Sequence, residues 1–180
     1  MSQPGGKPAA RTAIVITASD RSAAGEREDS SGKAVAERLE ELGFKVERMV
    51  VPDDRVRIEA TLVAAATRHR LVMTTGGTGL TPRDVTPQAT LAVIDYEVPG
   101  LAEAMRAEGR RSTPMAALSR GVVGVRGGSL IVNLPGSPRG AAESLEALVP
   151  VLDHALETLA GPFDHAAAGG RADVPVADAG

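Results

Sequence analysis

Leu71-Val72-Met73-Thr74-Thr75 runs directly into Gly76-Gly77-Thr78-Gly79-Leu80-Thr81-Pro82-Arg83-Asp84-Val85-Thr86-Pro87-Gln88. A short apolar run that ends in a glycine cluster marks a strand covered on both faces, stopping in a tight loop. In open α/β sheets ligands sit beyond the carboxyl ends of the strands, which is where this loop emerges. Three glycines in four residues let the backbone approach an anion and turn its amides inward, and the hydroxyls of Thr75 and Thr78 add donors. The stretch reads as a phosphate cradle, Thr75, Gly76, Gly77, Thr78 and Gly79, with the Asp84 carboxylate a few residues on. Glycines alone more often mark a plain turn; the surrounding string shifts the balance. It is neither GxxxxGK[ST] nor GxGxxG, so P-loop and dinucleotide readings lack their mechanics.

Outward from the loop, strand and helix signals alternate. Ala13-Ile14-Val15-Ile16-Thr17 is another β-branched run, followed by a polar loop over 19–30. A helix is expected from about Ser31, with Ser30 or Ser31 as N-cap and Gly43 as its stop. Residues 44–51 alternate as a strand, Pro52-Asp53-Asp54 turns, and a helix reaches about His69 with Ile58, Leu62, Ala65 and Ala66 on one face. Downstream, helices are expected from Thr86/Pro87 and over 100–107, then a hairpin of strands 122–125 and 130–134 joined through Gly127-Gly128. The last helix starts near Ser137/Pro138 and carries Ala141, Ala142, Leu145, Leu148, Val149, Leu152, Leu156 and Leu159 on one stripe. Pro150 should kink or split it.

This order implies right-handed crossovers and an α/β fold. The expectation is a three-layer α/β/α sandwich on a mostly parallel sheet, with one antiparallel hairpin allowed. The domain spans 11–161. The ends, 1–10 and 162–180, are rich in Gly, Pro or Ala and are expected to be flexible, because they bury too little apolar surface to offset ordering entropy.

Composition removes whole classes of function. The 180 residues carry 20 basic and 23 acidic groups, a net charge of −3, which argues against nucleic-acid or membrane coating. Cysteine is absent, so disulfides and thiolate chemistry are excluded. Histidines number three, His69, His154 and His165, which disfavours a multi-histidine zinc site. Only Phe44, Tyr96 and Phe163 are aromatic, leaving little on which to stack bases. No apolar run approaches the roughly 20 residues of a membrane span, and residues 1–15 lack a signal peptide's apolar stretch. A cytoplasmic location is expected. His69, near a helix end, reads as a surface or dipole-compensating residue and His154 as a solvated or packing position, while Arg106, Arg110, Arg111 and Arg120 could meet an anionic substrate but read better as solvated surface.

Other loops should reach the same sheet edge. Ser19 and Asp20 follow the first strand, Asp53 follows the second, and Asn133-Leu134-Pro135-Gly136-Ser137 leads to the N-terminus of the last helix, a natural anion site. Alone, Asp20 reads equally as a turn residue and Asp53 better as a helix cap. Their convergence with Asp84 changes that. Carboxylates beside a phosphate cradle repel the phosphates unless a cation intervenes, and Mg²⁺ binds through one or two carboxylates plus substrate phosphates. Phosphoryl or nucleotidyl transfer is the natural reaction class.

The string TTGGTGLTPRDVTPQAT, with the early Ser-Asp-Arg, the Val-Pro-Asp at 51–53 and Leu-Pro-Gly-Ser-Pro before the last helix, resembles the molybdopterin adenylyltransferases, the Mog/MoaB group related to the gephyrin G domain. The resemblance covers residues 12–160. It implies Mg²⁺- and ATP-dependent adenylylation of molybdopterin with release of pyrophosphate, in a homotrimer that prepares the pterin for a molybdate-insertion protein. By motif the catalytic and Mg²⁺-binding aspartates fall on Asp53 and Asp84. The pterin phosphate falls to the loop from Thr75 to Gly79, with Ser19, Asp20, Asn133, Pro135, Gly136 and Ser137 bordering the pocket. Many relatives carry an acidic residue where this chain has Gln88, here read as a first-turn helix residue. A non-catalytic molybdopterin-binding scaffold is the alternative, and two retained aspartates count against it, since passive phosphate binding gains nothing from them. Molybdate insertion itself is a third reading; it usually comes with a second large domain.

Overall fold

The computed structural model describes residues 11–161, and the expected flexible ends, 1–10 and 162–180, lie outside the described residues. Strands β1 (Thr12–Ala18), β2 (Lys45–Val51), β3 (Leu71–Thr75), β4 (Tyr96–Glu97), β5 (Val123–Arg126) and β6 (Ser129–Leu134) form one sheet in the order β2-β1-β3-β6-β5-β4. The first four strands in that order run parallel, β5 runs antiparallel to β6, and β4 runs antiparallel to β5. The expected hairpin is therefore present.

Period-two alternation splits the sheet into two cores. Ala13, Val15, Leu71, Met73, Leu130 and Val132 face helices α2 (Ser30–Glu41), α5 (Pro99–Ser112) and α6 (Pro138–Ala160). Ile14, Ile16, Val72 and Ile131 face α3 (Arg55–Ala66) and α4 (Thr86–Val93). The result is the three-layer α/β/α sandwich. Both faces are covered, which is why these strands read as continuous apolar runs.

Local chemistry sets the boundaries. Gly43 adopts φ 86° after α2, and the Asp54 carboxylate caps α3 by accepting from the Arg57 amide at 2.8 Å. Four details differ from expectation. The loop over 19–30 contains a short helix, α1 (Asp20–Ala23), capped by Ser19, and the N-cap of α2 is Asp29, which accepts from the Gly32 amide. Helix α6 is not split at Pro150. Pro150 is exposed while Leu148 and Leu152 are buried on either side, so packing holds the helix and the carbonyl freed by proline can turn to water. His69 is not a surface residue. It is only 5% exposed, at the turn from α3 into β3, and its Nδ1 has no hydrogen-bond partner.

Register places the site. Ala18 pairs with Val51, Thr17 with Thr75, and Thr75 with Leu134, so β2, β1, β3 and β6 end level with one another. The loops at 19, 52–54, 76–79 and 135–137 must then emerge side by side.

Candidate active site

Those loops enclose a polar cleft of about 370 Å³. Its wall includes Ser19, Asp53, Thr75, Gly76, Gly77, Asp84, Gly136 and Ser137, all expected from the sequence, together with Arg27 and Arg83. Gly76 and Gly77 have φ of 90° and 64°, a region that side chains rarely adopt. A Cβ on Gly76 would sit 2.4 Å from the Ala18 carbonyl oxygen, and one on Gly77 would sit 2.3 Å from Thr86 Oγ1. The loop has to lie this low over β1, and only glycine permits it. The N-terminus of α6 opens beside it, with Ser137 Oγ accepting from the Gly140 amide at 3.1 Å.

Hydroxyls line the floor. Thr17 Oγ1 and Thr75 Oγ1 are 3.0 Å apart, and Ser31 Oγ lies 3.3 Å from Thr75 Oγ1. Thr86 is fully buried beneath Gly77, and its Oγ1 has no hydrogen-bond partner.

Three aspartates converge, as the sequence suggested, but they are held differently. Asp20 and Asp53 are locked by exchanged hydrogen bonds: the Asp20 amide donates to Asp53 Oδ2 and the Asp53 amide to Asp20 Oδ1, each at 3.0 Å. Arg83 Nη2 donates to Asp20 Oδ2, and that contact, followed by the Asp53 amide, draws the Asp20 carboxyl below its ordinary range. Burial pushes Asp53 up, with the charges of Asp20 and Asp84 adding to it. Burial pushes Asp84 up too, but hydrogen bonds from the Thr81 hydroxyl at 2.7 Å, the Thr81 amide at 2.8 Å and the Gly79 amide outweigh it, and its net shift is downward. Two carboxylates in one cleft thus lean in opposite directions.

The donor set suits a cation that arrives with phosphates. Among the described residues no group of three or more His, Cys, Asp or Glu could hold a metal alone. Asp53 and Asp84 can supply the one or two carboxylates that Mg²⁺ takes from protein, the remainder coming from phosphate and water. Thr86 Oγ1, buried and unpaired within reach of the same wall, is a further polar atom awaiting a partner.

Not every expected residue faces this cleft. Thr78, Gly79, Asn133 and Pro135 line a second, largely apolar chamber of about 450 Å³ with Leu80, Met105, Gly109, Met115 and Leu118, and it meets the cleft at Ser137. The Asn133 side chain is 1% exposed and committed to the fold. Its Nδ2 donates to Thr74 Oγ1 at 3.1 Å and to Thr90 Oγ1 at 2.8 Å, and its Oδ1 accepts from the Val122 amide at 3.2 Å. Gln88 is exposed in the first turn of α4 and is absent from both walls. Arg106 and Arg120, expected on a solvated surface, are half-buried and donate to backbone carbonyls. Nothing in their local sequence distinguishes them from Arg110 and Arg111, which are exposed.

An α/β protein on a mostly parallel sheet, with a glycine cradle, a helix N-terminus and carboxylates at the carboxyl edge, is a phosphate-handling protein of the nucleotidyl-transfer type. Comparison with known proteins narrows the class. Residues 14–154 match the family described as probable molybdopterin binding domain. The chain is 42% identical over 156 residues to the molybdopterin adenylyltransferase of Helicobacter pylori J99, covering 83% of this chain and 88% of that protein. It is 42% identical over 139 residues to the molybdopterin adenylyltransferase of Escherichia coli K12, covering 74% and 71%. Among solved structures, the molybdopterin biosynthesis enzyme MoaB of Thermus thermophilus superposes with a TM-score of 0.79 at 52% identity, covering 84% of this chain and 97% of that one. The chain belongs to the molybdopterin-binding domain family of molybdenum cofactor biosynthesis.

Proposed function

We propose that this protein is a molybdopterin adenylyltransferase. An oxygen of the pterin's terminal phosphate attacks the α-phosphorus of ATP. The bond from that phosphorus to the bridging oxygen breaks, and pyrophosphate leaves. A phosphate monoester is already mostly ionised near neutral pH, with a second pKa of about 6, so the nucleophile needs no general base. The site's work is positioning and charge compensation, as phosphoryl-transfer chemistry demands.

The observation that carries the reading is the placement of Asp53 and Asp84 in the wall that also holds Gly76, Gly77 and Ser137. A protein that only held a phosphorylated pterin would gain nothing from two carboxylates facing the ligand. Asp53 and Asp84 would hold Mg²⁺, which when bound would supply charge neutralisation on the nucleotide phosphates. Gly76, Gly77, Ser137 and the start of α6 bind phosphate oxygens, and Arg83, reaching over from the loop, adds positive charge. The apolar chamber beside the cleft, walled by Met105, Met115 and Leu118, gives room for one of the two heterocycles. ATP as the nucleotide, a homotrimeric state, a cytoplasmic location and delivery of product to a molybdate-insertion protein belong to the same reading. Among the described residues no helix is long and apolar enough to cross a membrane.

Incubation with molybdopterin, ATP and Mg²⁺ tests it. Adenylylated pterin and pyrophosphate should appear in equal amounts. Tight pterin binding without either product would leave the scaffold reading in its place.

A further inference from the structure

We propose that Arg120 is a positioning residue for this reaction, gripping the loop of residues 76–84 from outside the cleft and so fixing where Asp84 stands. The proposal rests on the adenylyltransferase reading. The Arg120 amide donates to the Thr78 carbonyl at 3.0 Å, its Nε to the Gly79 carbonyl at 2.7 Å and its Nη2 to the Asp84 carbonyl at 2.5 Å. One residue therefore takes three carbonyls of one loop. Within the loop, the Thr81 amide and hydroxyl are turned onto the Asp84 carboxylate. The loop is thus held twice, by the Arg120 guanidinium through its carbonyls and by the Asp84 carboxylate through the Thr81 donors.

The grip is useful because its base is rigid. Val122 and Asn133 exchange hydrogen bonds, Val122 amide to Asn133 Oδ1 at 3.2 Å and Asn133 amide to the Val122 carbonyl at 2.9 Å. Gly121 lies so close to β6 that a Cβ would sit 2.8 Å from the Asn133 carbonyl oxygen, and Arg106 Nη1 donates to the Gly121 carbonyl at 3.0 Å. Asn133 in turn ties β3 and α4 together through Thr74 and Thr90. Arg120 thus reaches from the segment leading into β5, anchored to β6 through Gly121 and Val122, to a loop 36 to 41 residues away in sequence. Arg120 lines neither cavity, so it acts on substrate only through the loop. Its neighbours Leu118, Ser119 and Gly121 do wall the apolar chamber, so the ring seated there and the carboxylate in the cleft share one support.

The test uses Arg120→Met and Arg120→Lys in the full chain, with ATP, Mg²⁺ and molybdopterin varied in turn. A carboxylate misplaced by an ångström can cost about 100-fold, so Arg120→Met should lose roughly that factor in kcat while KM for either substrate stays within about threefold. Arg120→Lys, which keeps one donor and the charge, should recover part of the loss. Hydrogen exchange supplies a readout free of activity: amides of residues 78–84 should exchange about tenfold faster in Arg120→Met, with β1, β3, β6 and α6 unchanged. A raised KM at unchanged kcat, unchanged loop exchange, or faster exchange across the whole sheet would each overturn the proposal. Wild-type protein is the control. If it forms no adenylylated pterin, the functional reading fails and this proposal with it; if it is active and Arg120→Met is equally active, only the positioning role is lost.

Discussion

Replacing Asp84 by Asn keeps an acceptor for the Thr81 amide and hydroxyl, so the turn survives. What disappears is the charge. If that charge anchors a cation on the nucleotide phosphates, Asp84→Asn should cut adenylyl transfer by about 100-fold or more, within the range for losing a preorganised electrostatic partner. Affinity for the phosphorylated pterin, measured by calorimetry, should hold or rise, because one repulsive charge has left the wall. Near-normal turnover would remove Asp84 from the mechanism. Gly77→Ala separates shape from charge. Its Cβ would meet Thr86 Oγ1 at 2.3 Å in a backbone region with φ 64°, so the cradle must move. Pterin affinity should fall at least about tenfold, with the melting temperature lowered by a few degrees for roughly 1 kcal/mol of strain. An alanine variant that binds normally would show that the loop does not hold phosphate. The glycine string and the strand-end aspartates are legible in the sequence because backbone geometry and charge repulsion constrain residue type. Arg120 is not, since its partners are carbonyls of a distant loop and leave no mark on local composition.

Elements are legible where their burial is periodic. Strands β1, β3 and β6, covered on both faces, announce themselves as apolar runs, and Gly43 and Asp54 mark helix ends by their backbone requirements. Strand β4 has two residues, both exposed, and offers no period to detect. The 3₁₀ turn Pro114–Leu118 that walls the apolar chamber is equally silent. The α3–β3 junction misleads because a histidine near a helix end suggests solvent, whereas β3 and Ser129 of β6 close over it. Burial lowers the His69 pKa, the Glu47 carboxylate 3.5 Å from Nε2 opposes this, and the Arg68 charge reinforces it; the net shift is downward from 6.5. The folded state therefore prefers neutral His69. Its contribution to stability is complete above the unfolded value and is lost as pH falls from there through the lower folded value. Melting temperature followed from about pH 7.5 to about pH 5 should decline more steeply for wild type than for His69→Gln, which cannot titrate. Parallel curves would mean that His69 charges without cost.

At the scale of the whole molecule, apolar surface remains on the outside. Met49 and Val50 on edge strand β2 are 43% and 38% exposed, Val56 at the start of α3 is 73% exposed, and Leu91 on α4 is 47% exposed. An edge strand with apolar side chains invites pairing or cover, and closed cyclic assemblies are the common solution. A net charge of only −3 sets little repulsion against association. The exposed face calls for association without fixing its number, and the proposed homotrimer is tested by light scattering at micromolar concentration: the mass of three chains is expected, and a single chain's 18.5 kDa would overturn it. The cleft makes a separate demand. Asp53, Asp84, Gly76, Gly77 and Ser137 meet within one chain, so its geometry needs no neighbour. If assembly serves stability and solubility rather than chemistry, pterin affinity per chain should be unchanged on dilution through the dissociation range. A fall in affinity that tracks the loss of mass would instead place part of the binding surface between chains, with the exposed rim of the apolar chamber, Leu80, Met115 and Leu118, as the part a neighbour completes.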